Sequence, residues 1–429
     1  MTGAPGVRVV LDLRPLQDPE RAPLTATYLD ELLAAYDTTP AGGESFAFLL
    51  RSDLDDPTIR HDRLDVIGRR LVPPTGWLGS AAQTIDPFLL RGASLGAAWR
   101  ADRGGAGGAV YHAVGAGTLP IGSRLPLVVT LLDLAPWELP GTFDRTPAAH
   151  FGQRLRAQLL RRAAAVIVGT DGVAASACRL LHLRPERVHV VPLAARDAFR
   201  PVDVAGVADA ANDVAAGGEA WAADAERIGL GDRYLVYPGR YDARQDLATL
   251  LRALAALAAA GRPGELPEGI AWPPRVLLVG ASPDDRASLA RAANRQGVGE
   301  SLAYTPILPV DRLAALVRGA RAALLPVRSE AAGLAAIEAI ASGTPVVASA
   351  VGALPELLGA AGLLVEPRDP DRLAVALRTI WLDDRVHGRV ADEARRRALA
   401  DRRTWADVAR ETRAVYAAVG GKGLHRWPV

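Results

Sequence analysis

The sequence predicts an α/β protein of two doubly wound, Rossmann-like domains. Three observations carry this. Short apolar runs alternate with stretches of helical periodicity, the pattern of a parallel sheet covered by helices on both faces. The alternation breaks once, at residues 201–232, and then restarts in the same order. The 429 residues leave ample length for two cores. Domains are therefore expected at 1–200 and 233–403, with 201–232 as a linker carrying an insertion. Residues 404–429 read as a C-terminal helix and tail able to pack back on the first domain.

The elements follow in order. Residues 7–13 are a near-continuous apolar run, suited to a strand buried on both faces. Residues 28–36 carry an apolar stripe at helical spacing, and strands are expected at 45–51 and 63–71. Residues 86–100 have helical character, and the glycine run 104–108 is a turn before a strand at 109–112. A strand at 125–132 ends in Asp133, followed by helix 153–163, strand 165–169, helix 172–181 and strand 188–192. The second half gives strands at 234–238, 275–280, 302–305, 322–327 and 346–349. Helices are expected between them at 246–260, 284–297 and 310–318, and another from Gly333 to Gly343, where glycine can take the left-handed closing position. Helices at 370–382, 386–400 and 404–418 complete the chain.

Composition narrows the function classes. Apolar residues are 49%, charged residues 23% and the net charge +2, so nothing points to nucleic acid. Lys422 is the only lysine, which excludes a phosphate-loop ATPase, a Schiff-base enzyme and a protein kinase. Cys178 is the only cysteine, so the chain has no disulfide framework or cysteine-based zinc site. The histidines are scattered and no metal is expected. Residues 7–13 read as a strand rather than a signal peptide, and no uncharged apolar run approaches about 18 residues. A cytoplasmic protein is the expectation.

Two glutamates stand out. Glu330 lies just after the strand at 322–327, at the end of a parallel sheet where ligands bind. Glu338 lies in the helix that follows, whose first turn, with Gly333 and Leu334, offers free N–H groups to a phosphate. A neighbouring carboxylate can accept hydrogen bonds from sugar hydroxyls. Taken singly, each reads first as an ordinary solvated glutamate, since exposed glutamates are the norm. Gly239-Arg240 follows another strand in a strand–turn–helix pattern, and the Arg240 guanidinium can grip a diphosphate bidentately. Arg244 and Gln245 lie on the same loop and are further donor-binding candidates. Asp133 either caps the turn behind its strand or belongs to a site. Residues 154–162 form a basic amphipathic helix, either an ordinary surface element or a contact for an anionic membrane.

The run Glu330-Ala331-Ala332-Gly333-Leu334, with Glu338 beyond it, resembles the donor-site signature of the retaining, nucleotide-sugar glycosyltransferases of family four (glycosyltransferase group 1). The match continues through Val351-Gly352-Ala353-Leu354-Pro355-Glu356 to Pro367. The resemblance implies the glycosyltransferase B fold, two Rossmann-like domains facing across a cleft. It also implies a hexosyltransferase-like enzyme that needs no cofactor, uses a nucleotide-diphosphate sugar as substrate, and serves glycan or glycolipid synthesis. By the resemblance, Glu330 contacts the transferred sugar and Glu338 the ribose, while Gly239, Arg240, Gln245, Gly333 and Leu334 surround the diphosphate. The acceptor would be a glycan or lipid-linked hydroxyl, reached by a peripheral protein at the inner membrane face, alone or as an oligomer.

The chain departs from the family at several positions. Gln245 replaces a lysine and Leu132 a histidine, leaving Asp133 alone at that strand end. Ala331, Ala332 and Ala335 replace a glycine, an aromatic residue and a proline. No glycine-rich turn follows the first strand. These departures leave a second reading open: a non-catalytic paralogue that binds a sugar nucleotide or partners an active enzyme.

Overall fold

The structure is a computed structural model that describes residues 7–74, 90–91, 108–200, 233–400 and 402–420. Most of the helical reading of 86–100, of which only Leu90 and Arg91 are described and helical, most of the glycine run 104–108, the linker at 201–232 and the tail beyond 420 lie outside the described residues. The chain forms two compact units, Met1–Leu193 with Thr404–Val429, and Ala194–Arg403.

The first unit holds an all-parallel sheet of β1 (Arg8–Asp12), β2 (Ser45–Arg51), β3 (Val66–Val72), β4 (Ala109–Val114), β5 (Leu127–Thr130), β6 (Ala165–Val168) and β7 (Val188–Val190). Their order is β3-β2-β1-β4-β5-β6-β7. The longer helices among them are α1 (Pro23–Thr38), α2 (Pro147–Arg162) and α3 (Asp171–Leu181). Two begin earlier than apolar periodicity predicts. α1 starts on Pro23 and α2 on Pro147, with Thr146 Oγ1 accepting from the Ala149 N–H at 3.1 Å. Proline fits a first helical position because the missing N–H would have no intrahelical partner there.

The second unit holds β8 (Leu235–Tyr237), β9 (Val276–Val279), β10 (Leu302–Thr305), β11 (Ala322–Leu325), β12 (Val346–Ser349) and β13 (Gly362–Val365). They are parallel, in the order β10-β9-β8-β11-β12-β13. Its longer helices are α4 (Leu247–Ala259), α5 (Pro283–Arg295), α6 (Val310–Gly319), α7 (Leu334–Ala341), α8 (Pro370–Leu382) and α9 (Asp384–Ala400). Alternate strand residues supply two cores. Val236, Leu277, Ala323, Leu325 and Val346 pack with Ala336 and Ala339 of α7. Leu235, Leu278, Ala322, Leu324 and Val347 pack with Leu254 of α4 and with Leu377 and Trp381 of α8. Both faces are covered, so these strands show no polar alternation. β13 and the one-turn helix Leu354–Leu358 have no counterpart among the sequence expectations.

The last helix, α10 (Trp405–Gly420), belongs to the first unit. The Trp405 ring meets Tyr28 edge-on at 5.5 Å. Arg413 pairs with Glu44 through three contacts of 2.8–3.1 Å and lies over the Tyr36 ring. A buried polar chain crosses the same interface. Tyr36 donates to Tyr416 at 3.0 Å, Tyr416 lies 2.7 Å from His112 Nδ1, and His112 Nε2 lies 2.8 Å from Thr130 Oγ1. Burial lowers the His112 pKa to about 3, so the imidazole is neutral.

Candidate functional site

In both sheets the strand order reverses beside the first strand, at β1/β4 and at β8/β11. Such a reversal opens a crevice at the carboxyl ends of the two strands. In the second unit β8 leads into Gly239-Arg240 and β11 into Ser329-Glu330. The two loops are laced together. Asp246 N donates to Pro326 O at 2.8 Å and Arg328 N to Arg244 O at 2.7 Å, around an antiparallel bridge from Gln245 to Val327.

The backbone at Arg240 is unusual. Gly239 has φ +103° and Arg240 φ +81°, a left-handed conformation that a side chain rarely adopts. A Cβ at Gly239 would stand 3.1 Å from the Val279 carbonyl, so the glycine permits close approach of the loop to β9. The Arg240 carbonyl accepts the Tyr237 hydroxyl or shares it with Gln245 Oε1, 2.8 Å away. The Arg240 guanidinium makes no hydrogen bond or ion pair among the described residues. Strain of this kind is retained when the surroundings over-determine it, commonly at functional sites.

Glu330 is half-buried. Its Oε1 accepts from the N–H groups of Ala332 at 3.2 Å and Gly333 at 2.9 Å, while Oε2 has no protein partner among the described residues. Its carbonyl accepts from Ala353 N at 2.9 Å. Burial pushes the Tyr237 hydroxyl well up. Among the nearby charges, Arg240 pulls its pKa down and Glu330 pushes it up, so one phenol senses both residues. Arg240 and Glu330 are thus gathered at the β8/β11 crevice.

α7 begins at Leu334, with Gly333 as its left-handed N-cap. The N–H groups of Leu334 and Ala335 have no acceptor among the described residues and lie at the positive end of the helix. Glu338 lies one turn further along, four residues after Leu334 and hence on the same face. It is buried at 6% exposure. Its carboxylate is held bidentately by Arg196, Nε to Oε1 at 2.5 Å and Nη2 to Oε2 at 3.1 Å. Burial raises the Glu338 pKa, and the Arg196 hydrogen bonds and charge oppose that rise.

The other expected site residues have partners of their own. Arg244 turns onto Asp242, Nε to Oδ1 at 2.9 Å. Burial pushes the Asp242 carboxyl up, but its bonds to Arg244 and that charge outweigh it and leave the pKa lowered. Gln245 meets the Tyr237 hydroxyl. Asp133 lies in the first unit, and its Oδ1 accepts from Ala135 N at 2.8 Å, just before the helical turn Ala135–Glu138. Leu132 beside it is buried. Arg196 and Tyr237 went unnoticed as site residues in the sequence. Tyr237 ends a buried strand with a polar tip, a readable signal. Arg196 is 142 positions from Glu338 and has none.

Residues 232–383 match the family described as glycosyl transferases group 1. That segment contains Gly239, Arg240, Glu330 and Glu338. No curated protein matches the chain. Among solved structures, sucrose-phosphate synthase from Thermosynechococcus elongatus is 21% identical with TM-score 0.70, covering 96% of this chain and 98% of its own. HepE from Anabaena, solved with UDP and glucose, is 16% identical with TM-score 0.66, covering 96% of this chain and 100% of its own. WaaG, a glycosyltransferase involved in lipopolysaccharide biosynthesis, is 17% identical with TM-score 0.66, covering 97% and 100%. Identities this low establish the fold, which is that of the glycosyltransferase B proteins, as the resemblance implied.

Proposed function

We propose that the chain is a retaining glycosyltransferase that moves a sugar from a nucleoside-diphosphate donor to an acceptor hydroxyl, in glycan or glycolipid synthesis. The observation that carries the reading is the β8/β11 crevice. It gathers an unpaired guanidinium (Arg240), two unpaired helix N–H groups and Glu330 within the segment matching the group 1 family. A diphosphate is the ligand this donor set suits. Glu330 Oε2 is the acceptor for a hydroxyl of the transferred sugar.

In this reading the acceptor hydroxyl attacks the anomeric carbon from the face that the diphosphate leaves. The bond from that carbon to the β-phosphate oxygen breaks, the new glycosidic bond forms, and the hydroxyl proton passes to the departing phosphate. Arg240 and the N–H groups of Leu334 and Ala335 stabilise the charge growing on that phosphate. The reading uses no metal ion and no protein base.

The test is a screen of sugar transfer and donor hydrolysis with UDP-, GDP- and ADP-sugars. Turnover by the wild type, reduced at least tenfold in Arg240→Ala and Glu330→Ala, supports the assignment. Turnover that survives both substitutions sinks it.

One observation favours a second reading, a sugar-nucleotide-binding protein without transfer. The neutral Gln245 stands where the family carries a lysine, and buried Leu132 where it carries a histidine. Calorimetric binding of a nucleoside diphosphate without turnover of its sugar would select this reading.

The acceptor side includes a surface suited to an anionic membrane. α2 turns Phe151, Arg154, Gln158, Arg161 and Arg162 outward, an exposed aromatic among three arginines on one helix face. No helix among the described residues is long and apolar enough to cross a membrane. Flotation with vesicles containing anionic lipid tests peripheral contact, and absence of binding removes it.

A further inference from the structure

We propose that Arg196 is a positioning residue of the nucleotide site, holding the Glu338 carboxylate in place as acceptor for the ribose diol. The inference rests on the reading of the β8/β11 crevice as a nucleoside-diphosphate site.

The helix sets the stage. A diphosphate on the N–H groups of Leu334 and Ala335 leaves its nucleoside to run along the helix face on which Glu338 lies. The spacing is one helical turn, about 5.4 Å, the scale of the step from a phosphate to the ribose hydroxyls. Glu338 is the carboxylate on that stretch, and it is buried. An ionised group so placed needs a paired charge, which Arg196 supplies through two parallel contacts. Each carboxylate oxygen has a second lone pair, so both can still accept from hydroxyls while the guanidinium fixes their plane.

The structure separates this task from holding the chain together. Arg196 lies on the segment 194–200, which has other fastenings to the second unit. Phe199 is buried in the same core as Ala336 and Ala339 of α7. Arg318 donates to the carbonyls of Ala198 at 3.0 Å and Arg200 at 2.9 Å. The Arg196 guanidinium also stands over the Phe199 ring, at 5.2 Å, which limits its freedom to swing away. Removing the guanidinium leaves the segment fastened and leaves Glu338 without its counter-charge. A protonated Glu338 then has one oxygen committed as a donor and accepts hydroxyls poorly.

The experiment is calorimetry on the full chain with UDP, ADP and GDP, followed by the 2′,3′-dideoxy form of whichever binds tightest. The wild type is expected to favour the ribose form by roughly tenfold or more, the scale of hydrogen bonds to a charged group. Arg196→Met is expected to lose that preference while its affinity for the dideoxy form stays unchanged, which also shows that the variant is folded. Arg196→Lys should recover part of the preference. An unaltered ribose preference in Arg196→Met overturns the proposal while leaving the nucleotide reading intact. A wild type that binds none of the three overturns the nucleotide reading and the proposal together.

Discussion

Gly352 lies so close to Glu330 that a Cβ on it would fall 1.8 Å from the Glu330 carbonyl oxygen. The glycine has φ +55°, and the next residue, Ala353, donates its N–H to that same carbonyl at 2.9 Å. The loop carrying Glu330 is therefore fixed by backbone packing from a turn more than twenty positions away. Gly352→Ala is expected to cost about 3 kcal/mol, by adding a backbone clash to an unfavourable φ. Gly261→Ala is the control, since Gly261 has φ +76° but nothing within 4 Å of its Cβ position. It should cost only about 1 kcal/mol. Thermal melts of both variants check the difference; equal losses would contradict the contact.

Arg240 holds a strained backbone, and the proposed phosphate contact is the role that would retain it. Its φ of +81° is relieved by glycine, and its guanidinium makes no hydrogen bond or ion pair among the described residues, only a weaker charge interaction with Asp242. Arg240→Gly should leave stability unchanged or raised by up to about 1 kcal/mol. Nucleoside-diphosphate affinity should fall tenfold or more, since a charge-assisted bidentate contact contributes about 1.5–3 kcal/mol. A melt and a calorimetric titration on the same sample read both effects.

Gln245 offers the converse substitution. Its backbone bridges to Val327 and its amide meets the Tyr237 hydroxyl, so the side chain stays beside Arg240. Gln245→Lys adds a second positive charge there. Diphosphate affinity should rise by about 1 kcal/mol, roughly fivefold, and the gain should shrink as salt is added. An affinity unchanged at low salt would place this side chain outside the phosphate site.

His112 makes the first unit acid-sensitive. Its pKa is lowered by burial from 6.5 to about 3. Between those values the unfolded chain binds a proton that the folded chain does not, so stability falls as pH falls through that window. From pH 7 to pH 5 the loss is about 2 kcal/mol. Comparing urea midpoints at the two pH values for wild type and His112→Gln isolates the effect. The substitution lowers stability at pH 7 and should remove this part of the pH dependence.

Much of the fold was legible because it is written locally. β2, β10, β12 and α8 fall where apolar runs and helical periodicity put them. Glu330 and Arg240 stand out because each lies in a loop just after a strand, and sheet order brings the two loops together. The starts of α1 and α2 were equally local but signalled by Pro23, Thr146 and Pro147 rather than by apolar period.

The amino-acid sequence by itself determined the two doubly wound units, the glycine turns and the residue types at the β8/β11 crevice. These depend on neighbours a few positions apart, where periodicity and backbone preference act. Only the tertiary structure decided that Glu338 is buried against Arg196, 142 positions away. It alone joined Arg413 to Glu44 and Tyr416 to His112, pairs 369 and 304 positions apart. The physical reason is that a buried charge or hydroxyl is satisfied by whatever the packed chain brings within about 3 Å, and that proximity has no local trace in the order of residues.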